Sequence, residues 1–327
     1  MSAPGAPAAA GDQDAVRDGF IFAITAYTLW GCLPAYMKTL SSASALEVLS
    51  HRIVWSVPVG ALLITLRSQW AEVRSALTTP RTVLMLAIAA MSIASNWLTY
   101  VWAVFNERIL ETSLAYFINP MMYVLVGVVL FSERLNRLQM IACGIALSGA
   151  AVLTVGLGAF PWVAFVLGAL FTIYGYIRKT TPVGAMPGLF IETIILSPIA
   201  LTMLMLIAKA GNSSFVSGDA GFRILLMIAG PATVAPLVLF ALAARRLQMA
   251  TLGFLQYIGP TITFFIGLYF GEPFTVYHAI CFSLIWVACA MLSYDAMRTA
   301  RSARRSKASP IAAAPARPAV SASPRNS

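Results

Sequence analysis

The sequence predicts an all-α membrane protein with ten transmembrane helices, built as two inverted repeats of five helices each. Three observations lead to this prediction. The composition is strongly apolar, since 59% of the 327 residues are hydrophobic and 10% are charged. Ten apolar stretches are long enough to cross a bilayer, and a series of motifs recurs about 140 residues later in the chain.

The composition excludes several classes of protein. Ordinary soluble domains carry about 25% charged residues, and a soluble fold of this length could not shield so many apolar side chains from water. Soluble enzymes, nucleic-acid-binding proteins and secreted disulfide-rich domains are therefore excluded. The cysteines lie inside apolar stretches without CxxC or metal-ligand spacing, so neither disulfides nor a metal site is predicted. They are Cys32, Cys143, Cys281 and Cys289.

A helix needs about 20 apolar residues to cross roughly 30 Å of hydrocarbon. The connections between the stretches that meet this requirement are short, which leaves no room for a soluble domain between them. Alternation of the strand type is absent. The predicted spans are 18–39, 46–66, 82–105, 112–131, 137–156, 160–177, 186–208, 222–244, 250–270 and 275–296.

The basic residues predict the orientation of these spans. Ten spans place both termini on one side of the membrane, together with 17 of the 22 lysine and arginine residues. Cytoplasmic loops are enriched in such residues, so both termini are predicted to be cytoplasmic. The net charge of +10 follows from this distribution and does not indicate a nucleic-acid partner. Low-complexity composition predicts disorder for residues 1–17 and for the basic tail 298–327.

Motifs in matching order indicate an internal duplication. Pro120 and Pro260 are 140 residues apart, and each is followed seven residues later by a glycine. Pro58 and Pro198, in earlier spans, are also 140 residues apart. Because five is an odd number, the second copy must be inverted in the membrane, and inverted repeats place a binding site near the bilayer midplane. The predicted repeats cover residues 18–156 and 160–297.

Four segments within these spans carry a family resemblance: AYTLWGCLPAYMK, ALEVLSHRIVWS, NWLTYVWAVFNERILETSLAYFINP and TLGFLQYIGP. They resemble the RarD group of the EamA family, in the drug/metabolite transporter superfamily, over about residues 18–297. The resemblance implies a multi-pass protein of the bacterial inner membrane with a substrate cavity between two inverted halves. It also implies that the fifth and tenth helices stand outside that cavity.

Ionisable side chains within the spans are candidates for function, because a charge in lipid costs several kcal/mol unless it is paired or hydrated. The second span contains Glu47, His51 and Arg52, and the seventh contains Glu192. The 140-residue offset maps Arg52 onto Glu192, so we consider a pair between these charges across the central axis, either as a gate or as a structural lock. His51, which can titrate near neutral pH, and Glu192 are the candidates for proton coupling. In the alternative interpretation, Glu47 and His51 lie near the outer headgroups.

Aromatic and polar side chains share faces of other spans. Aromatic rings with a polar tip suit a pocket for an amphipathic organic molecule. A sealed helix kink at each proline and an interfacial aromatic belt are the alternative explanations. The remaining predicted site residues are Tyr27, Trp30, Asn96, Trp97, Tyr100, Tyr116, Asn119, Tyr174, Gln256 and Tyr257.

The sequence has no GxxxxGK[ST] phosphate loop, no HExxH motif and no GxSxG motif, so neither a cofactor nor ATP hydrolysis is predicted. A secondary transporter that exports or exchanges small organic metabolites or drugs by alternating access explains both the duplication and the polar midplane. The alternatives are a passive channel and an integral-membrane enzyme acting on a lipid-linked substrate, with Glu47, His51 and Arg52 as an acid–base cluster. The predicted partners are a small organic solute and the lipid bilayer, while coupling to protons and a homodimer stay open.

Overall fold

The computed structural model describes residues 10–131, 136–244, 246–247, 252 and 255–307. Within these ranges the regular secondary structure is entirely helical, so the predicted all-α class is confirmed. The helices in chain order are α1 (Ala10–Thr39), α2 (Ala45–Leu66), α3 (Trp70–Leu77), α4 (Pro80–Phe105), α5 (Ile109–Phe131), α6 (Arg137–Leu157), α7 (Trp162–Thr180), α8 (Ala185–Lys209), α9 (Ser214–Ser217), α10 (Ala220–Ala244), α11 (Ile258–Tyr269) and α12 (Val276–Lys307).

Seven helices in the described ranges are long and apolar enough to cross a membrane: α1, α2, α4, α6, α8, α10 and α12. Two further apolar helices, α7 and α11, are shorter. The chain is therefore a multi-pass membrane protein, as predicted. Each of the ten predicted spans overlaps one of these nine helices or α5. The count of ten crossings and the inverted relation of the halves stay predictions.

Helix ends follow the local sequence. Ser44 precedes α2, and its hydroxyl accepts a hydrogen bond from the Glu47 backbone N–H at 3.1 Å, which satisfies a donor that the first helical turn leaves free. Asn136 and Gln139 form a capping box at the start of α6. The same helix ends at Gly158, whose left-handed conformation (φ +64°) glycine adopts without a steric penalty. These signals keep the connections between spans short.

Both terminal helices are longer than predicted. α1 begins at Ala10 and α12 continues to Lys307, so residues 10–17 and 298–307 are helical where disorder was expected. Alanine, arginine and lysine, which favour helices, are frequent in the second of these segments. The remainder of both terminal segments lies outside the described residues.

The helix that contains Pro260 begins later than predicted. The predicted span starts at residue 250, but α11 begins at Ile258, after a turn at Gln256 and Tyr257. Pro260 is the third residue of α11, where its missing backbone N–H forfeits no helical hydrogen bond. The proline therefore favours a helix that starts at this point, whereas α5 runs through the matching Pro120.

The two halves of the chain pack against each other. The first half comprises α1 to α6, and the second comprises α7 to α12. The most extensive contacts join α6 to α12, α2 to α8 and α10, α4 to α7, α1 to α10 and α11, and α5 to α7 and α11. Each of these contacts joins a helix of one half to a helix of the other. Each half therefore relies on the other to bury its apolar faces.

The connections between helices gather at two ends of the bundle, which we name by a glutamate at each. At the Glu72 end, the carboxylate of Glu72 in α3 accepts a hydrogen bond from the backbone N–H of Gly184, before α8, at 2.6 Å. At the Glu47 end, Ser214 of α9 donates to the carbonyl of Ser42, before α2, at 3.1 Å. Residues at these two ends thus join connections from different halves.

Helices α2 and α10 approach closely at Gly230. A Cβ atom at this position would lie 2.3 Å from the backbone carbonyl carbon of Trp55, which is closer than a real contact allows. The Ser56 hydroxyl also donates to the Gly230 carbonyl at 3.4 Å across the same contact. The glycine therefore sets the spacing between α2 and α10.

Replacing this glycine with alanine (Gly230→Ala) should lower the free energy of unfolding by about 1–3 kcal/mol, the usual cost of forcing an extra carbon into a packed core. The midpoint of thermal unfolding in detergent should fall by several degrees. Gly144→Ala in α6 is the matched control, because a Cβ there meets nothing within 4 Å. An unchanged midpoint for Gly230→Ala would contradict the close contact of α2 and α10.

Candidate solute-binding site

Arg52 of α2 lies where helices of both halves meet. Its side chain is buried, and its Nε donates a hydrogen bond to the Thr233 hydroxyl of α10 at 3.1 Å. The guanidinium carbon lies 4.8 Å from the ring centroid of Trp97 in α4, which makes a cation–π contact. The Nη1 nitrogen is buried and has no hydrogen-bond partner among the described residues. Arg52 is thus hydrogen-bonded through Nε, whereas its Nη1 has no described partner.

Three tyrosines surround this guanidinium closely enough to interact with it electrostatically: Tyr36 of α1, Tyr100 of α4 and Tyr116 of α5. The rings of Tyr100 and Tyr116 meet edge to face with centroids 6.4 Å apart. Tyr100 is buried, whereas Tyr116 is 36% exposed. We call these residues the Arg52 cluster: Tyr36, Arg52, Trp97, Tyr100, Tyr116 and Thr233.

The local sequence explains how the cluster forms. Gly230 allows α10 to approach α2, and Thr233 lies one helical turn further along the same face. Trp97 and Tyr100 are three residues apart on α4 and therefore share a face. Sequence reasoning included four members of the cluster but missed Tyr36 and Thr233. The Tyr36 hydroxyl donates to the Leu225 carbonyl of α10 at 2.6 Å, so it also ties α1 to the second half.

The pair between Arg52 and Glu192 that we considered from the sequence is not formed, so that interpretation is wrong. The Glu192 carboxylate instead lies 3.4 Å from the Nε of Arg178 in α7, and it accepts a hydrogen bond from the Tyr174 hydroxyl at 3.2 Å. Gly188 makes this arrangement possible, because the Arg178 guanidinium occupies the space that a Cβ at 188 would take. Arg178 was not among the predicted site residues, so sequence reasoning missed its role beside Glu192.

Glu47 and His51 belong to the Glu47 end of the bundle. Glu47 accepts hydrogen bonds from the backbone N–H groups at the start of α9, those of Ser214 and Phe215, both at 3.1 Å. The indole N–H of Trp55 donates to Nδ1 of His51 at 3.2 Å. Because an indole nitrogen can only donate, Nδ1 carries no proton and His51 is neutral in this state. Glu47, His51 and Arg52 therefore have separate partners and do not form one acid–base group.

Glu272 has a role like that of Glu47. Its carboxylate accepts hydrogen bonds from the backbone N–H groups of Ile109 and Leu110, at the start of α5, at 2.5 and 2.8 Å. Burial raises the pKa of Glu272, and these two hydrogen bonds act in the opposite direction. Together with Glu72 at the start of α8, three glutamates thus cap helices of the opposite half. A negative charge at a helix N-terminus is stabilised by the exposed N–H groups and the helix dipole.

The two predicted asparagines lie against α7. The Asn96 side-chain amide donates to the Leu167 carbonyl at 2.8 Å, so this residue joins α4 to α7. Asn119 of α5 lies beside Gly168 of α7. Its Oδ1 is buried and has no hydrogen-bond partner among the described residues. Asn96 therefore has a packing role, while Asn119 keeps an unused acceptor.

The remaining predicted residues lie apart from the Arg52 cluster. Tyr27 and Trp30 of α1 pack together with Phe240 of α10, with ring centroids 5.7 to 6.1 Å apart. Tyr257 stacks on Phe117 at 5.9 Å. Gln256 is exposed in the turn before α11. Within the described ranges, His, Cys, Asp and Glu side chains form no group that could hold a metal ion.

A multi-pass helical bundle with a buried cation and aromatic side chains between its halves has the features of a solute transporter. Comparison with known proteins agrees with this class. The EamA-like transporter family model matches residues 17–155. An uncharacterized transporter of Vibrio cholerae is 40% identical over 297 residues, which are 90% of this chain and 98% of that protein. Protein RarD of Escherichia coli is 38% identical over 291 residues, which are 89% of this chain and 98% of that protein.

A crystal structure of a protein with 17% sequence identity superposes with a TM-score of 0.55, covering 84% of this chain and 96% of that chain. At this identity the match supports a shared fold alone. The relatives at higher identity decide the family. The chain belongs to the EamA family and, within it, to the RarD proteins. It is a membrane transporter of the drug/metabolite transporter superfamily.

Removing Arg178, the partner of Glu192, should show how much a buried unpaired charge destabilises the folded protein. Arg178→Ala should lower the free energy of unfolding by about 3–5 kcal/mol, because breaking one side of a buried ion pair strands the other. The double variant Arg178→Ala with Glu192→Gln should recover much of this loss, since the amide has no charge to compensate. Thermal unfolding of the unmodified chain and of both variants in detergent checks the expectation. Equal midpoints for the single and double variants would show that the pair has no energetic coupling.

Proposed function

We propose that this transporter is a secondary carrier that exports or exchanges small organic solutes by alternating access, with the Arg52 cluster as its solute site. The position of the cluster is the observation that carries the proposal. Its side chains come from α1, α2, α4 and α5 of one half and from α10 of the other. Relative motion of the two halves would therefore open and close the space beside Arg52.

The helix contacts support an inverted relation between the halves. We match α1 with α7, α2 with α8, α4 with α10, α5 with α11 and α6 with α12. If each helix is replaced by its match, the contact of α1 with α10 becomes a contact of α7 with α4, and the contact of α2 with α10 becomes a contact of α8 with α4. Both of these contacts are present. The contacts α2–α8, α5–α11 and α6–α12 join helices to their own mates, as expected next to a two-fold axis. With five spanning helices in each half, the two halves would run through the bilayer in opposite directions.

We further propose that the Glu72 end faces the cytoplasm. This end carries the basic connections around Arg67, Arg74 and Arg81, whereas the Glu47 end has fewer basic residues. The positive-inside rule supports this orientation and places both termini in the cytoplasm. Because the sequence has no phosphate loop, the proposed energy source is the gradient of the solute or of an exchanged ion.

Two cysteine pairs, introduced into a chain without its native cysteines, should separate the two access states. Glu47→Cys with Ser213→Cys closes the Glu47 end, and Glu72→Cys with Gly184→Cys closes the Glu72 end, because each pair replaces a hydrogen-bonded contact. After treatment with a short bifunctional thiol reagent, a further cysteine at position 116 should react with a membrane-impermeant maleimide from the open side alone. Sided labelling in proteoliposomes, read out by mass spectrometry, measures this.

The same variants without cross-linking are the control and should show labelling from both sides, as the carrier exchanges between states. Labelling of position 116 from both sides in either cross-linked form would indicate a channel. Absence of labelling from both sides in every form would contradict an internal solute site. Both outcomes overturn the proposed mechanism without requiring the solute to be known.

A further inference from the structure

We propose that the solute is a small organic monoanion whose carboxylate pairs with Arg52 and whose planar apolar body packs on Trp97, Tyr100 and Tyr116. The inference deepens the function proposed above and rests on it, because it names the chemical class of solute that the same site accepts. It is carried by the charge balance and by the geometry around the guanidinium.

Arg52 has no counter-ion among the described residues. No described carboxylate lies within 4.0 Å of its guanidinium. Its ionisable neighbours are the phenols of Tyr36, Tyr100 and Tyr116, which are neutral near pH 7. An arginine stays charged in a protein, and a buried nitrogen that donates to nothing is costly. The site is therefore incomplete without an acceptor that carries negative charge.

The buried carboxylates of the described bundle already have other partners. Glu192 pairs with Arg178, and Glu111 pairs with Arg108 at 3.0 Å. Glu47 and Glu272 accept hydrogen bonds from the starts of α9 and α5. None of these is left to neutralise Arg52. A bound anion is the remaining way to compensate the charge.

The guanidinium is oriented to receive a carboxylate. Its Nε is held by Thr233 and its face lies on Trp97, so the edge formed by the two Nη nitrogens is left for a ligand. This edge can donate two parallel hydrogen bonds to one carboxylate. Tyr116, which is 36% exposed, marks the side from which a ligand would approach this edge.

The aromatic residues select the rest of the solute. Trp97, Tyr100 and Tyr116 supply the aromatic rings around Arg52, and aromatic rings favour offset or edge-to-face contacts with another planar group. A cationic solute would be repelled by Arg52, and a neutral one would leave Nη1 without a charged partner. An inorganic anion would compensate the charge but would make no use of the aromatic walls.

The test is ligand-induced thermal stabilisation of the purified full-length chain in detergent. The probes are sodium phenylacetate, sodium benzoate and sodium 1-naphthoate, each compared with sodium chloride at equal concentration. Phenethylammonium chloride, 2-phenylethanol and sodium acetate are the matched probes of opposite charge, no charge and no ring. At least one aromatic carboxylate should raise the unfolding midpoint by about 2 °C or more at millimolar concentration, and the matched probes should not.

Arg52→Gln should abolish this shift, and Arg52→Lys should retain part of it. Arg108→Gln is the matched control, because Arg108 also lies over tryptophan rings but pairs with Glu111; its shift should equal that of the unmodified chain. If Arg52→Gln does not fold, chemical modification of the unmodified chain provides a second test. Phenylglyoxal, which reacts with arginine, should modify Arg52 more slowly in the presence of the stabilising carboxylate, while its reaction with Arg108 is unchanged.

No shift with any of the three aromatic carboxylates beyond sodium chloride overturns the proposal. An equal shift with the amine or the alcohol, or an undiminished shift in folded Arg52→Gln, does so as well. An equal shift with acetate removes the planar body from the proposal. Because these experiments measure binding without transport, and the cysteine labelling above measures access without a solute, failure of one proposal is distinguishable from failure of the other.

Discussion

A positive charge at the centre of a membrane helix costs about 2.5–3.5 kcal/mol, and the packing of α2 against α4 and α10 offsets this cost for Arg52. A hydrogen bond that involves a charged group contributes about 1.5–3 kcal/mol, and a cation–π contact contributes about 0.5–2 kcal/mol. Thr233 and Trp97 supply these two interactions. They require α10 to lie close to α2, which Gly230 permits. The need to accommodate one arginine thus constrains which faces of three helices meet.

The two ends of the bundle are held in a different way from its interior. In the interior, helices of opposite halves bury extensive apolar surface against each other. At the ends, carboxylates of Glu47, Glu72 and Glu272 accept hydrogen bonds from backbone N–H groups at the starts of helices in the opposite half. Such bonds are directional and can be replaced by water, whereas buried apolar surface cannot be exposed as cheaply. In a carrier of the proposed kind, opening at either end would therefore require the loss of a few polar contacts.

Much of the fold could be predicted from the sequence because lipid imposes both the length and the apolar character of a spanning helix. The membrane class follows from these patterns and is confirmed. The family was indicated by the resemblance of four sequence segments to RarD proteins, and it is confirmed as well. The side-chain partners could not be predicted as well, because a helix pattern does not indicate which distant helix will face it. Thr233 and Tyr36 were missed for this reason. The error about Glu192 has a second cause: positions matched by an internal repeat are equivalent, and equivalence does not bring them into contact.

The unbalanced guanidinium also gives the protein an electrical property. In a carrier of the proposed kind, Arg52 itself hardly moves when the protein changes state. The transmembrane voltage drops across the closed end, and the closed end changes from one side of Arg52 to the other. The change of state therefore moves the charge of Arg52 from the electrical potential of one side to that of the other. The full voltage is worth about 2.3 kcal/mol per elementary charge per 100 mV. An inside-negative potential therefore favours the empty carrier with its site open to the cytoplasm, ready to load. Once a monoanion neutralises the site, the reorientation step becomes insensitive to voltage.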